Sequence, residues 1–469
     1  MSVEIARLSA CELVHRFRRR ELSPVEATKA ALARVEECDS AVNAFRIVDA
    51  EQALADAAAS EARWQAGSPL GLVDGVPTTI KDIVLTKGWS TLRGSRTVNP
   101  DQSWDADAPC VARLREHGAV LLGKTTTPEF GWKGVTDSPV TGITRNPWNT
   151  DRTPGGSSGG AAAAAALGMG ALHIGTDGGG SIRMPSAFTG IFGIKPSFGR
   201  VPAWPGSIFG SLAHIGPMTR TVSDAALMMN VISGPDPRDW TALPPNGRDY
   251  DVRLNNGVEG LRIAYSPTLG YADVDPEIAA LVETAKDVLA GQGAVVEQID
   301  PGFADPAETF RRHWFSAAAY MINSLPDDQK ALVDPGLQEI AAQGADITMT
   351  QYMEAVSARN DLGETMSRFL DRYDLLLTPT LPLPAFKAGE EVPDWQAYPR
   401  WTNWTPFTFP FNLTQNPAAT VPCGFTSEGL PAGMQIIGAK DADALVLRAA
   451  RAYETSCPFR MPDNPNIQH

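Results

Sequence analysis

Apolar positions recur three and four residues apart at the start of this chain. Ile5, Leu8, Leu13 and Val14 share one side at that spacing, and an alanine-rich stretch carries the pattern onward. Residues from about 4 to 66 therefore read as helices with one apolar face. Ser23-Pro24 has the form of a helix cap and first turn. From about Gly71 the period changes. GVPTTIKDIV and GAVLLGKTTTPEF are short β-branched runs bounded by Gly and Pro, the pattern of buried strands and turns. Between them DAPCVARLREHG has helical spacing and a glycine stop. This alternation continues to about residue 235 and predicts an α/β sheet with helices on both faces.

The segment 233–249, SGPDPRDWTALPPNGRD, is rich in Pro and Gly and predicts a surface excursion. GLRIAYSPTLG resumes as a strand, residues 276–372 read as mostly helical, and YDLLLTPTLPLPAF reads as a strand entering a proline-rich loop. No internal repeat or low-complexity linker divides the chain. A single domain over 1–469 is expected, with N-terminal helices (1–66), a core carrying the unusual motifs (67–235), a mostly helical subregion (236–375) and a C-terminal part completing the sheet (376–469).

With 469 residues, 43% of them hydrophobic and 20% charged, the chain has the composition of a globular protein with a large core. Its net charge of -14 argues against a nucleic-acid partner, which requires a basic face. The five cysteines (Cys11, Cys38, Cys110, Cys423, Cys457) form no CxxC pair, so neither a disulfide framework nor a zinc site is indicated. The N-terminal segment lacks the continuous apolar run of a signal peptide or membrane anchor. The expected location is the cytoplasm, with no membrane association.

The candidate chemistry lies in residues 154–183, where PGGSSGG precedes six alanines and TDGGGS follows. So many glycines point to unusual dihedrals or close backbone approach. Ser157 and Ser158 stand just before an expected helix, where unpaired N–H groups and a partial positive charge gather. A phosphate-binding P-loop is excluded because no lysine follows the glycines. Three successive glycines before Ser181 can aim N–H groups at one point, as an oxyanion hole requires; a flexible loop and a capped turn are the plainer readings of the two clusters. A serine nucleophile needs a base. The histidines (His15, His117, His173, His214, His313, His469) show no G-x-S-x-G or other recognisable triad pattern. His173 reads as a core histidine and His214 stays undecided. Lys81, a charge inside the mostly apolar run VPTTIKDIV, is a candidate base if burial keeps it neutral.

The set GVPTTIKD, PGGSSGG, TDGGGSIRMPSAFTGIFGIKPSFGRV, GPMTRTVSDAALMMNVI and NPAATVPCGFTSEGLPAGMQIIG resembles the amidase signature family, in order and over most of the chain. The resemblance implies an α/β fold with a central mixed, mostly parallel sheet flanked by helices on both faces. It also implies a Ser-Ser-Lys triad: Ser181 as nucleophile, Ser157 as bridging serine in a cis peptide bond, and Lys81 as base. Gly178, Gly179 and Gly180 become the oxyanion hole, with Ser158, Asp177 and Arg183 in support. No metal or other cofactor is implied, and a homodimer is the family expectation.

For the substrate, the resemblance places Phe130, Gly131 and Trp132 in the acyl pocket. Trp204, Ile208 and Phe209 follow the GRV motif, and Trp401, Trp404, Phe407, Phe409 and Phe411 precede the C-terminal motif. Most of these aromatics read as core; Trp132 and Phe209 are assigned to the pocket together with Phe130, Gly131 and Ile208. Two positions depart from the commoner family pattern. Gly178 replaces a larger residue, which is expected to widen the oxyanion loop, and Gln415 stands where glycine is frequent and is expected to fill part of the pocket. The leading expectation is hydrolysis of an amide, anilide or carbamate bond in a small hydrophobic or aryl molecule. Alternatives are the glutaminase subunit of an amidotransferase, an esterase-like or carbamate hydrolase, a serine hydrolase using His214, and a silent scaffold.

Overall fold

Capping boxes open the first two long helices. Ser9 Oγ accepts from the Glu12 N–H at 3.1 Å, and Ser23 Oγ accepts from the Glu26 N–H at 3.1 Å. Each glutamate in turn accepts from its serine's N–H, so helices Ala10–Arg19 and Pro24–Val42 begin where their polar side chains satisfy the free donors. The computed structural model describes residues 2–245, 247 and 249–462, so His469 lies outside the described residues. The expected helical stretch 4–66 is interrupted. Phe45–Val48 forms a strand, β1, between helices Pro24–Val42 and Ala50–Ala66. Its four residues are too few to show a period of two, and only pairing with a distant strand makes them extended.

The remaining strands, in chain order, begin with β2 (Pro77–Lys81), β3 (Val120–Thr125), β4 (Asp137–Ser138) and β5 (Gly142–Ile143). Next come β6 (Leu172–Asp177), β7 (Phe192–Lys195), β8 (His214–Thr219), β9 (Arg262–Tyr265) and β10 (Val295–Gln298). The last are β11 (Leu375–Pro379), β12 (Ala418–Phe425) and β13 (Pro431–Gly438). β4 and β5 make a small ribbon. The other eleven form one sheet in the order β1-β3-β2-β6-β8-β7-β12-β13-β11-β9-β10.

The sheet is mixed, as expected, but it is not mostly parallel: four of its ten strand pairings are parallel and six antiparallel. Parallel neighbours such as β2 and β3, or β9 and β10, are joined through helices Pro109–Glu116 and Pro276–Gly291. In the middle the chain turns straight back, through a loop from β7 to β8 and a hairpin from β12 to β13. The short β12–β13 hairpin admits only antiparallel pairing, whereas the loop of residues 196–213 between β7 and β8 is long enough for either direction.

Helices cover both faces. Ile215 of β8 joins a core with helix Val222–Ile232, while Met218 of the same strand joins the alanines of helix Gly159–Ala166 on the other side. All eight residues of that alanine helix are buried. A Cβ on its Gly160 would meet Thr126 Oγ1 at 2.3 Å, so the helix must be thin for its neighbours to close on it. The segment 233–249 carries no helix or strand among its described residues. No helix among the described residues is long and apolar enough to cross a membrane.

Candidate active site

β2 and β6 run parallel, and both end at the same edge of the sheet, where β6 meets the antiparallel β8. Ligand sites in α/β sheets form outside the carboxyl ends of strands where the connection changes direction. Lys81 is the last residue of β2. Its Nζ lies 2.7 Å from Ser157 Oγ, 2.8 Å from Ser158 Oγ and 2.8 Å from Thr176 Oγ1. The amine is completely buried and has no ion-pair partner among the described residues. Burial pushes its pKa well below the ordinary lysine value, and the more distant Asp177 only partly opposes this. Three hydroxyls around a neutral amine can pass a proton.

Ser157 and Ser158 precede helix Gly159–Ala166, and the Gly156–Ser157 peptide bond is cis. Ser158 is fixed by its own strand contacts: its hydroxyl donates to Thr176 C=O at 3.1 Å and accepts from Thr176 N–H at 3.2 Å. Its N–H donates to Ser181 C=O at 3.1 Å, which ties the two glycine-rich loops together.

The second loop is held from below. Asp177, at the end of β6, accepts from the Gly180 N–H at 2.8 Å and from the Ile182 N–H at 3.2 Å. The Arg183 guanidinium grips the same carboxylate through Nε and Nη2, both at 2.9 Å, and donates onward to Thr408 C=O, Gln435 and Asn412. Asp177 and Arg183 are both fully buried. Burial alone would raise the Asp177 pKa; the guanidinium, with Lys195 and the Asn412 amide, outweighs it and holds the carboxyl well below the usual range. These two residues shape the loop, and Asp177 also borders the cavity. One correction follows for the expected oxyanion donors. The Gly180 N–H is already taken by Asp177, while the N–H groups of Gly178, Gly179 and Ser181 have no protein acceptor among the described residues.

Ser157 and Ser181 open onto a cavity of about 420 Å³. Phe130, Gly131, Ile208 and Phe209 line it, joined by Trp204 and Trp314. Trp132 does not. It is fully buried, its indole packs against Gly336, and its carbonyl accepts from Trp314 Nε1 at 3.2 Å. Phe130 and Gly131 have φ of 51° and 72°; this left-handed turn sends Trp132 away from its neighbours and into the core.

Trp314 and Met321, which also line the cavity, come from helix Ala307–Asn323. Their spacing in sequence is that of ordinary core positions, so no local signal marks them. Trp401, Trp404, Phe407, Phe409 and Phe411 are buried in the core. Gln415 stands outside this cavity: its φ is 65°, a conformation that favours glycine, and its Oε1 accepts from Lys440 at 3.0 Å.

The histidines divide. His173 is fully buried in β6, where its Nδ1 lies 2.8 Å from Thr79 Oγ1 and burial pushes its pKa down to about 3. His214 borders the cavity, but its Nδ1 lies 2.8 Å from Leu212 C=O and its Nε2 faces Lys195 at 3.4 Å. Burial drives the His214 pKa well below that of a free imidazole. No hydrogen bond joins either ring to Ser181 among the described residues.

Known proteins share this architecture over its whole length. Residues 26–447 match the family described as amidase. An acylamidase of Rhodococcus erythropolis is 38% identical over 96% of this chain and 96% of its own. One of the glutamyl-tRNA(Gln) amidotransferase subunits of Myxococcus xanthus is 37% identical over 97% of this chain and 99% of its own. The crystal structure of a bacterial aryl acylamidase of the amidase signature enzymes superposes with a TM-score of 0.89 at 34% identity, covering 96% of both chains.

Proposed function

This chain belongs to the amidase signature family and is an amide-hydrolysing enzyme; from that premise we propose that it cleaves the C–N bond of a small hydrophobic or aryl amide, anilide or carbamate through a Ser-Ser-Lys relay. The observation that carries the reading is the buried Lys81 amine 2.7 Å from Ser157 Oγ, with no ion-pair partner among the described residues. Neutral Lys81 takes the proton of Ser157. Ser157 takes that of Ser181 as Ser181 Oγ bonds to the carbonyl carbon. The resulting oxyanion rests on the N–H groups of Gly178, Gly179 and Ser181. The relay then returns the proton to the leaving nitrogen, the C–N bond breaks, and an acyl ester of Ser181 remains. Water, deprotonated by the same relay, attacks that ester and releases the acid.

The walls of the cavity support an apolar substrate. Phe130, Trp204, Phe209 and Trp314 present large apolar faces, which suit aryl and alkyl groups. The similarity to the Myxococcus xanthus amidotransferase protein supports a second reading, glutaminase activity, and the aromatic lining weighs against it. A release assay on p-nitroacetanilide, a longer acyl anilide, an aryl carbamate and free glutamine separates the two. The wild type is run beside Ser181→Ala and Lys81→Ala. Release from an anilide or the carbamate, lost in both variants, is the expected result; ammonia from glutamine alone overturns the apolar reading, and activity surviving Ser181→Ala overturns the nucleophile.

A further inference from the structure

The cavity wall carries a cation that the relay does not use. Arg93 lines the same space as Ser157 and Ser181. It is half-buried, and among the described residues no carboxylate, carbonyl or hydroxyl hydrogen-bonds to its guanidinium. The carboxylate whose charge it feels, Asp82, is already engaged: it pairs with Arg46 at 2.6 Å and with Lys124 at 3.6 Å. Asp177, which also borders the cavity, is neutralised by Arg183. The wall therefore has a net positive charge in a chain whose overall charge is -14.

The backbone holds this residue close to the reacting groups. Arg93 has φ of 56°, in the left-handed region, and Gly94 follows at 65°. A non-glycine residue there is strained, and such strain persists where the surroundings impose it. Here the Arg93 N–H donates to Asp82 C=O at 2.9 Å, one residue beyond Lys81. Its C=O accepts from the Phe130 N–H at 2.7 Å, and the next residue, Gly131, sits against Ser157: a Cβ there would be 3.2 Å from Ser157 Oγ. One side of Arg93 is thus tied to the strand that carries the base and the other to the turn beside the bridging serine.

A half-buried guanidinium that lacks a protein partner keeps its five donors for something that enters the cavity. A planar carboxylate matches that fork with two parallel hydrogen bonds. We infer that the substrate of this enzyme carries a carboxylate on its apolar body, bound by Arg93, so that aryl or alkyl amides bearing an acid group are favoured over neutral isosteres. The inference rests on the reading of this cavity as the substrate site.

Two matched pairs test it, with the acid on either side of the scissile bond: 4-acetamidobenzoate against p-nitroacetanilide, and N-phenylsuccinamate against N-phenylbutyramide. Each is assayed with the wild type, Arg93→Gln and Arg93→Lys. Intrinsic reactivity differences between the members of a pair cancel when variants are compared. For at least one pair, Arg93→Gln is expected to lower the acid-to-neutral ratio of kcat/KM by roughly 10- to 100-fold, through KM, while the neutral member changes less than about threefold. Arg93→Lys is expected to recover part of the ratio. An unchanged ratio in both pairs overturns the inference, as does an equal loss on acid and neutral members, which is what a merely structural arginine would produce. Benzoate and benzamide binding by calorimetry supplies a readout independent of turnover. Benzoate bound more tightly than benzamide by the wild type, but not by Arg93→Gln, supports the inference. If no anilide is hydrolysed, the activity reading fails by itself, and the benzoate result still decides the role of Arg93.

Discussion

Trp314 occupies the space that a side chain on residue 178 would need. A Cβ on Gly178 would stand 2.9 Å from Trp314 Cζ3 and 3.1 Å from Cη2. Trp314 is itself stacked on Phe209, with ring centroids 3.6 Å apart and planes 8° from parallel. An indole from a distant helix therefore fills the space beside Gly178 and lines the cavity next to Ser181.

This contact makes residues 178 and 314 interdependent. Gly178→Ala pushes the indole or the loop, and kcat/KM is expected to fall about tenfold, because small displacements of aligned donors are costly. Adding Trp314→Leu makes room and is expected to recover part of the loss. A double-mutant cycle should give a coupling of about 1 kcal/mol or more; additive effects would show that the contact does not bear on the loop.

On the proposed relay, the pH dependence of the reaction follows from Lys81. Its pKa lies well below the ordinary lysine value of 10.5 because of burial, and only the neutral amine accepts the Ser157 proton. The kcat/KM profile is therefore expected to rise with pH through the pKa of Lys81 and then stay level, with an acid limb well below the usual lysine range. Lys81→Ala should cost about 10²- to 10⁴-fold and lose that limb. A limb of unchanged position in Lys81→Ala would assign it to another group.

Ser181 and Ser157 are separable by trapping. With an O-aryl carbamate, whose attack by the serine breaks the C–O bond, expels a phenoxide and leaves a slowly hydrolysed carbamoyl ester, mass spectrometry is expected to find the added mass on the peptide holding Ser181. Ser181→Ala should give no adduct and lose about 10⁴-fold or more in kcat. Ser157→Ala keeps the nucleophile and should still label, slowly. An adduct on Ser157 in the wild type would reverse the two roles.

The Asp177–Arg183 pair is expected to carry stability as well as loop shape. Arg183→Ala leaves a buried carboxylate unpaired and should cost about 3–5 kcal/mol in urea unfolding. The folded-state pKa of Asp177 is held below its ordinary 3.8. The pair's contribution is therefore complete above that value and disappears as pH falls below it, when the folded protein takes up the proton. Asp177→Asn should flatten this acid dependence; an unchanged slope would place it in other carboxylates.

What the residues determine by themselves is local. Ser23-Pro24 starts a helix because its cap needs only the residues three positions on. Lys81 stands out because a lysine in the mostly apolar VPTTIKDIV has few reasons to be buried. The GGSSGG and GGGS runs mark close backbone approach because only glycine fits there. Each signal is complete within about ten residues, so the candidate serines, the lysine and the alternation of strand and helix were all legible.

Tertiary structure decided the rest. β1 is extended because β3 pairs with it, and the short hairpin between β12 and β13 turned the chain back into antiparallel pairing. Trp132 left the pocket expected for it, because the left-handed turn at Phe130–Gly131 directed its indole into the core, while helix Ala307–Asn323 delivered Trp314, which no local signal marks, to the cavity. Gly180 lost its N–H to Asp177, and the Arg93 guanidinium has no hydrogen-bond partner among the described residues because Arg46 and Lys124 hold Asp82. Whether a side chain is spent on a neighbour or free for a substrate depends on groups far away in the chain. Only the packed fold brings those groups together.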